Sequence, residues 1–260
     1  MSENTAEFTK DNIDIYFKEL SKEYKRLGGR NTPVEIVLIG GAAIIESYGF
    51  RSMTTDIDAI IPAMGIMKDA INHVGERFGL PNGWLNADFM KTSSYSPKLS
   101  AYSKPYRTFN QVLNVRTVSG EYLIAMKLKS GRQYKNDLSD IIGILAEHEK
   151  KNDPITFGAI FEAVENLYGG WNEIDEKAVS FIKAVLDNGK FEEMYAVIRE
   201  NEQSTRSVLI SFEEKYPGVL AEGNIDSVIE NADIKSENKV SVRATLEKLK
   251  KQQETAKQKT

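Results

Sequence analysis

The feature that most constrains the fold is a glycine pair set between two apolar runs near the start of the chain. Residues 36–39 are all aliphatic, as in a buried strand, and residues 42–45 form a second apolar run directly after Gly40 and Gly41. Glycine allows the tight turn that a change from strand to helix needs here. The first N–H groups of a helix have no partner within it and attract phosphate. The pattern therefore predicts a strand, a turn and a helix that together bind a phosphate group.

A pair of aspartates follows this turn. Residues 56–61, DIDAII, are predicted to form a second strand that ends at Pro62. Side chains alternate between the two faces of a strand, so Asp56 and Asp58 would share one face while Ile57 points into the core. A divalent cation would offset the repulsion between the two carboxylates. We therefore predict that Asp56 and Asp58 bind Mg²⁺ or Mn²⁺ beside the triphosphate of a nucleotide.

Each half of this pattern also has a simpler interpretation. A glycine pair after a strand can be only a turn, and two aspartates at a strand end can form a solvated rim. The combination of strand, glycines, short helix and aspartate strand, with its apolar residues in phase, favours nucleotide binding. Two further candidate nucleotide-binding residues, Arg51 and Thr55, lie between the two halves.

Composition restricts the chemistry to oxygen ligands and the chain to a globular class. With 260 residues, 41% hydrophobic and 28% charged, the chain is long enough for two domains and a sizeable core. The absence of cysteine excludes disulfides, thiol nucleophiles and thiolate metal sites. The first residues are polar and acidic, unlike a signal peptide, and no apolar run is long enough to span a bilayer. We therefore expect a cytoplasmic protein with no membrane partner.

The formal net charge of −4 hides an asymmetry. Residues 235–260 carry eight Lys or Arg and three Glu, which leaves 26 basic and 35 acidic groups in residues 1–234. A body with a net charge of −9 argues against broad, non-specific binding to nucleic acid. The basic tail could contact RNA or form a solvated end that is partly helical or disordered.

Helices are predicted on both sides of the aspartate strand, over residues 9–27 and 64–78, because apolar residues recur there at helical spacing. Residues 82–104 show no such period. Their aromatic side chains either pack in the core or line a pocket for a base or a substrate. These aromatic residues are Trp84, Tyr95 and Tyr102.

Strands are predicted again within residues 107–118, where apolar and polar residues alternate. Many two-metal polymerase-type sites take a third carboxylate from such a later strand. Here the candidate positions hold Asn114 and Arg116, and neither can replace a carboxylate as a metal ligand. The sequence therefore departs from the pattern of a polymerase-like two-metal site.

A second group of charged residues lies at the junction of two predicted helices, one over residues 121–129 and one that begins near Asn136 or Asp137. The group consists of Lys127, Arg132, Asp137 and Asp140. The two aspartates are three residues apart, so they share one face of the helix. In a purely structural interpretation, Asp137 is an N-cap, Asp140 is its capping-box partner and Lys127 is a surface charge.

The two groups together resemble the nucleotidyltransferase superfamily and, within it, the AbiEii/MenT-like toxin branch. In that branch the motifs run glycine turn, Asp-x-Asp, a helical Lys, and an Arg followed by Asp-x-x-Asp. The matching positions here are Gly40-Gly41, Asp56 and Asp58, Lys127, and Arg132 with Asp137 and Asp140. The resemblance covers roughly residues 34 to 146, just under half of the chain.

The resemblance implies a metal-dependent enzyme that transfers a nucleotide from an NTP. It implies that Lys127 and Arg132 neutralise charge on the attacked phosphate, and that Asp137 or Asp140 is a base or an orienting group. In the toxin branch these residues would complete the site, which suits the missing third strand carboxylate. The branch further implies an acceptor in tRNA or protein and a cognate antitoxin.

From Pro154 onward the pattern changes to amphipathic helices. They are predicted over residues 155–167, 176–186, 190–200 and 203–216. We therefore predict an α+β chain in which a nucleotidyltransferase-fold mixed sheet with helices is followed by an all-helical C-terminal domain. The predicted limits are 1–150 for the nucleotidyltransferase domain with its N-terminal helix, 151–234 for the helical domain and 235–260 for the tail.

Three functions remain open at this point. The first is a toxin-like transferase that acts on tRNA or protein, as the resemblance implies. The second is a transferase that modifies a small molecule such as an aminoglycoside, which the acidic body would suit. The third is a catalytically silent nucleotide-binding module, which the missing third carboxylate would suit.

Overall fold

The computed structural model of the chain describes residues 6–61, 65–132, 135–221, 223–225 and 227–229. It has the predicted α+β class, with a five-stranded mixed sheet and many helices. The described residues that follow residue 150 form helices and no strand, as the sequence predicts. The tail predicted over residues 235–260 lies outside the described residues.

The sheet is built around β1, the apolar run that precedes the glycine pair. Its strands are β1 (Val34–Leu38), β2 (Ile57–Ile60), β3 (Leu85–Asn86), β4 (Ser103–Phe109) and β5 (Leu113–Val118), in the order β3-β2-β1-β5-β4. β1 runs antiparallel to β2 and parallel to β5, β3 is parallel to β2, and β4 is antiparallel to β5. Four of the five β1 residues are buried, which explains the continuous apolar run.

Helices precede, follow and connect the strands. They are α1 (Lys10–Arg26), α2 (Gly40–Ser47), α3 (Gly65–Phe78), α4 (Gly120–Ser130), α5 (Asp137–Lys150), α6 (Phe157–Tyr168), α7 (Glu176–Asn188) and α8 (Phe191–Lys215). α1 and α3 agree with the predicted helices 9–27 and 64–78, although Met64 lies outside the described residues. In the described part of the chain, no helix is long and apolar enough to cross a membrane.

One pair of predicted helices is wrong. Residues 190–200 and 203–216 belong to a single helix, α8, because Asn201 remains helical and does not end the first segment. Asn in a helix interior costs only about 0.7 kcal/mol or less relative to Ala. The neighbouring Glu202 is 3% exposed, so this polar residue lies on the buried face of the helix and does not mark a break.

The start of the aspartate strand also differs from the prediction. β2 begins at Ile57, so Asp56 precedes the strand in a bend, and strand alternation no longer fixes the direction of its side chain. Within β2, Ile57 and Ala59 are buried while Asp58 is half-buried on the other face. β3 went unpredicted because two residues are too few to show a period.

The aromatic residues of the aperiodic stretch pack against other side chains. Trp84 is 2% exposed, and its Nε1 donates a hydrogen bond to the Ile71 carbonyl at 3.0 Å. Tyr102 stacks on Tyr122 with ring centroids 4.1 Å apart. Tyr95 makes an edge-to-face contact with another aromatic ring. These contacts favour packing over an open pocket for a base.

A buried carboxylate fixes α1 to α3. Glu23 in α1 is 2% exposed and accepts hydrogen bonds from Arg26 and from Arg77 in α3, while His73 Nδ1 lies 2.8 Å from its Oε1. The hydrogen bond from Arg26 is the largest influence; together with those of His73 and Arg77 it outweighs burial and lowers the pKa of Glu23 to about 2. Glu23 is therefore ionised wherever the protein is folded at ordinary pH.

The chain divides into two compact units by its internal contacts. The first comprises the described residues of Met1–Met126 and Gly158–Glu173, and the second those of Lys127–Phe157 and Ile174–Thr260. The division falls inside α4 and groups nearly all of α6 with the sheet. The two compact units therefore have other limits than the predicted domains 1–150, 151–234 and 235–260. Those domain limits stay a prediction.

Candidate functional site

The glycine pair forms the turn from β1 into α2, as the sequence predicts. Gly40 is the first residue of α2 and has a φ of 55°, in the left-handed region that glycine adopts without strain. Ile39 is the N-cap and supplies no side-chain cap, and its N–H donates to the Asp58 carbonyl at 3.1 Å. The start of the helix is thereby held beside β2.

Three side chains crowd the two glycines. A Cβ placed on Gly40 would lie 3.6 Å from Oδ2 of Asp58. A Cβ placed on Gly41 would lie 2.6 Å from Oγ1 of Thr54 and 2.9 Å from Nη2 of Arg51. Any side chain at position 41 would therefore displace these groups. Gly41 is needed because a hydroxyl and a guanidinium approach the first turn of α2, whereas Gly40 is needed for its positive φ.

Arg51 is held in this position by its own loop. Its Nε donates to the Met53 carbonyl at 3.0 Å, and its Nη2 donates to Thr54 Oγ1 at 3.4 Å. Thr54 is 4% exposed and exchanges two backbone hydrogen bonds with Phe8, of 2.8 and 2.9 Å. A cation thus lies at the N-terminus of α2, where the helix dipole also favours an anion.

The two predicted metal ligands lie together in sequence but differ in burial. Asp58 lies in β2 beside Gly40, while Thr55 and Asp56 are exposed in the preceding bend. Among the described residues, no group of three or more His, Cys, Asp and Glu could hold a metal ion. Mg²⁺ is usually bound by one or two carboxylates together with substrate phosphates. That Asp56 and Asp58 hold an ion together with a nucleotide stays a prediction.

The sheet register locates Arg116, one of the two positions where a third carboxylate is missing. Ile60 pairs with Val37 and Val37 pairs with Arg116, so Arg116 lies on the same face of the sheet as Asp58. The Arg116 guanidinium donates from Nε to Ser103 Oγ at 2.6 Å. One of the two positions that lack a third carboxylate thus holds a cation on the face of Asp58, and this cation is bound to Ser103 of β4 with its Nε 3.7 Å from Oε2 of Glu35.

The charged residues of the second unit form a buried ion-pair cluster. Lys127 Nζ lies 2.9 Å from Asp137 Oδ1 and 2.8 Å from Asp140 Oδ2, and Arg132 Nε lies 3.0 Å from Asp137 Oδ2. Lys127 is 8% exposed and Asp140 is fully buried, so Lys127 is not a surface charge.

Two members of this cluster, Lys127 and Asp137, each favour the charged form of the other. Burial opposes the charged form of Lys127, but Asp137 and Asp140 outweigh it and hold its pKa above the usual value. Burial likewise opposes ionisation of Asp137, but Lys127 and Arg132 outweigh it and hold its pKa well below the usual range. A carboxylate with so low a pKa accepts a proton poorly, which disfavours Asp137 as a general base.

The capping interpretation of the two aspartates is wrong. Asn136 is the N-cap of α5 and its side chain makes no cap hydrogen bond, while Asp137 is already the first helical residue. The cap comes instead from Glu202 of α8, whose Oε1 accepts from the N–H groups of Leu138 and Ser139 at 2.9 and 3.2 Å. The first turn of α5 is therefore capped by a side chain from another helix.

Burial raises the pKa of Glu202 to about 8, with a further upward contribution from Asp140, although hydrogen bonds from Ser139 and Leu138 act in the opposite direction. The carboxyl is therefore largely protonated at neutral pH. Ser139 Oγ also donates to its Oε2. Two acidic groups of unlike ionisation thus adjoin the start of α5, a neutral Glu202 and an ionised Asp137.

The structure brings the predicted site residues together in two groups. The group in the first unit is Gly40, Gly41, Arg51 and Asp58, with Thr55 and Asp56 in the adjoining bend. The group in the second unit is Lys127, Arg132, Asp137 and Asp140. That both groups act on one substrate stays a prediction.

Sequence reasoning missed two residues that hold these groups in place, Thr54 and Glu202. Thr54 gave no signal, because its contacts with Gly41 and Phe8 come from distant parts of the chain. Glu202 did give one. It follows Met194 and Ile198 at intervals of four residues on the buried stripe of α8, where an acidic residue is unexpected.

Comparison with known proteins identifies one family. The chain matches the family model described as "Nucleotidyltransferase of unknown function (DUF6036)" over residues 16–149, just over half of its length. The matched region contains both groups of candidate site residues. No curated protein and no solved structure gives a significant match to the chain.

Substitution of Glu202 tests whether the carboxyl is neutral. Because Gln resembles a protonated Glu, we expect Glu202→Gln to retain the cap, whereas Glu202→Ala should lose about 1–3 kcal/mol of unfolding free energy at pH 7. A raised pKa means that stability from the protonated form is complete below about pH 4.5 and is lost as pH rises through about 8. In urea titrations from pH 4 to pH 9, the unfolding free energy of Glu202→Gln should therefore rise relative to that of the wild type as pH rises. Equal destabilisation by Gln and Ala would contradict this assignment.

Substitution of Lys127 separates its structural and catalytic roles. Lys127→Met leaves two buried carboxylates without their ammonium, so we expect a loss of about 3–5 kcal/mol in unfolding free energy. Adding Asp137→Asn and Asp140→Asn removes both carboxylate charges. In denaturant titrations, this triple variant should regain most of the lost unfolding free energy. A change of less than about 1 kcal/mol in Lys127→Met would contradict the buried ion pair. A folded triple variant with full transferase activity would contradict the catalytic role that the resemblance implies for this cluster.

Proposed function

Because the chain belongs to this nucleotidyltransferase family, we propose that it transfers a nucleotide from an NTP to an acceptor, with the triphosphate bound at the start of α2. One observation carries the proposal. Within the matched region, the carboxylate of Asp58 and the guanidinium of Arg51 both adjoin the glycine pair that opens α2. An anion and a cation side by side at a helix N-terminus suit a phosphate chain that carries a metal ion.

In the proposed reaction an acceptor oxygen attacks the α-phosphorus of the NTP. The bond from that phosphorus to the bridging oxygen of the β-phosphate breaks, pyrophosphate leaves and the acceptor loses a proton. The first N–H groups of α2 and Arg51 would bind and orient the triphosphate. Asp56 and Asp58 would hold Mg²⁺ or Mn²⁺, which when bound neutralises phosphate charge and polarises the attacked group.

The buried cluster of the second unit has a narrower proposed role. The resemblance implies that Lys127 and Arg132 neutralise charge on the substrate and that Asp137 or Asp140 is a base. The ion pairs support an orienting role for the aspartates, since both contact Lys127. We propose that they fix the ammonium of Lys127 and do not themselves take up the acceptor's proton.

The acceptor and the biological role are proposed from the resemblance and from charge. We propose a toxin-like transferase with an acceptor in tRNA or protein, countered by a cognate antitoxin and active in the cytoplasm. A small cationic acceptor of the aminoglycoside type is the second candidate, because residues 1–234 carry a net charge of −9.

A labelling experiment tests both candidates. The purified protein is incubated with each α-³²P-labelled NTP, Mg²⁺ and either total cell RNA, total cell protein or an aminoglycoside. Label on RNA or protein supports the first candidate, and label on the small molecule supports the second. Binding of an NTP without transfer to any acceptor would instead support a catalytically silent module.

Removal of one carboxylate tests the metal ligands. Asp58 is half-buried and the core contacts of β2 come from other residues, so we expect Asp58→Ala to keep the melting temperature of the wild type in metal-free buffer. Its Mg²⁺-dependent transfer should fall by about a hundredfold or more, as expected for loss of a charge-stabilising contact. The matched control is Asp88→Ala, which removes an exposed carboxylate of the same unit. Full activity in Asp58→Ala, or a large loss of stability without metal, would contradict the assignment.

A further inference from the structure

The position of Arg51 is set by a loop and not by a regular element. Residues 48–56 contain no helix and, apart from a single bridge at Thr54, no strand pairing. A long side chain on such a loop has many rotamers, and binding a triphosphate would cost the entropy of ordering it. Whatever holds the guanidinium beforehand therefore decides how well the site binds.

We propose that Thr54 is the positioning residue of this site, holding the Arg51 guanidinium at the start of α2 for the triphosphate of the bound NTP. This inference rests on the proposed function, since it concerns the same site. The hydroxyl of Thr54 adjoins both the guanidinium and the start of α2. Its Oγ1 accepts from Arg51 Nη2 at 3.4 Å and lies 2.6 Å from the point that a Gly41 Cβ would occupy.

Thr54 can position another residue because it is itself fixed. It is 4% exposed, and its N–H and C=O both pair with Phe8 in an antiparallel bridge. Phe8 is fully buried, with its ring stacked on Trp84 at a centroid distance of 6.3 Å and in edge-to-face contact with Tyr16. The hydroxyl is thus tied through the bridge to the aromatic core of the first unit.

The bond network also fixes the plane of the guanidinium. The Nε of Arg51 donates to the Met53 carbonyl and Nη2 donates to Thr54, so two edges of a rigid planar group are bound within one loop. Loss of the Thr54 acceptor removes the bond that ties this group to the buried bridge, so its direction is held less firmly. Arg51 would then keep its charge but lose its preset direction.

The test is a double-mutant cycle on the full chain, read by calorimetric binding of inorganic triphosphate in metal-free buffer and of each NTP with Mg²⁺. Thr54→Val removes the acceptor and keeps a branched side chain, Thr54→Ser keeps the hydroxyl, and Arg51→Met removes the cation. Thr108→Val is the matched control, since this exposed threonine lies on the edge strand β4 and donates to Asn114 of β5. Thr54→Ala replaces Thr54→Val if circular dichroism shows that valine is not accommodated.

We expect Thr54→Val to weaken triphosphate binding about tenfold, because the Arg51 side chain must then be ordered when the ligand binds, while Thr54→Ser and Thr108→Val bind like the wild type. In the Arg51→Met background, Thr54→Val should cause no further loss, because it acts only through Arg51. Wild-type binding in Thr54→Val, or losses that add in the double variant, would overturn the inference.

The outcomes separate this inference from the proposed function. A non-additive cycle in a protein that labels no acceptor would sustain the positioning role and overturn nucleotidyl transfer. Transfer activity with an affinity for NTP that depends on neither Thr54 nor Arg51 would sustain nucleotidyl transfer and overturn the positioning role. A wild-type protein that binds neither triphosphate nor any NTP would overturn both.

Discussion

The candidate site depends on the close approach of three side chains to a glycine pair. A hydroxyl, a guanidinium and a carboxylate all come within contact distance of the positions where Cβ atoms would project from Gly40 and Gly41. This approach is possible because β1 passes directly into α2 and because β2, which carries Asp58, lies antiparallel to β1. The position of β1 between β2 and β5 therefore determines where the helix N-terminus, the cation and the carboxylate meet.

The second unit depends on charges that are paired out of water. Two carboxylates of α5 contact one ammonium from α4, and a third carboxyl, that of Glu202, caps α5 in its neutral form. Breaking such a pair costs more than forming it gains, because the remaining charge stays buried. Conservative changes at these positions therefore separate a structural role from a chemical one.

Local sequence was sufficient to predict the turn into α2 and the strand that follows it. Gly40 needs a positive φ, and the burial of Ile57 and Ala59 in β2 alternates as expected. The helical spacing of apolar residues also predicted the helical nature of the later residues. Even here the predicted start of the strand at Asp56 was wrong, because Asp56 lies in the bend before β2 begins.

Long-range contacts explain what the sequence could not predict. Thr54 is fixed by Phe8, and Glu202 caps the first turn of a helix that lies more than sixty residues earlier in the chain. No spacing rule relates such residues. Asp137 illustrates the same limit, since its spacing from Asp140 suited a cap while the contacts made it one member of an ion-pair cluster.

Hydrogen–deuterium exchange of the full chain, with and without a non-hydrolysable NTP analogue and Mg²⁺, tests the central claim most directly. If the N-terminus of α2 binds the triphosphate, the analogue should slow exchange in peptides that cover residues 39–44 and 51–58. Gly41→Ala should abolish this protection. The substitution displaces Arg51 and Thr54 from the first turn of α2 without removing either residue. Protection confined to other parts of the chain, or protection that Gly41→Ala leaves intact, would contradict the account.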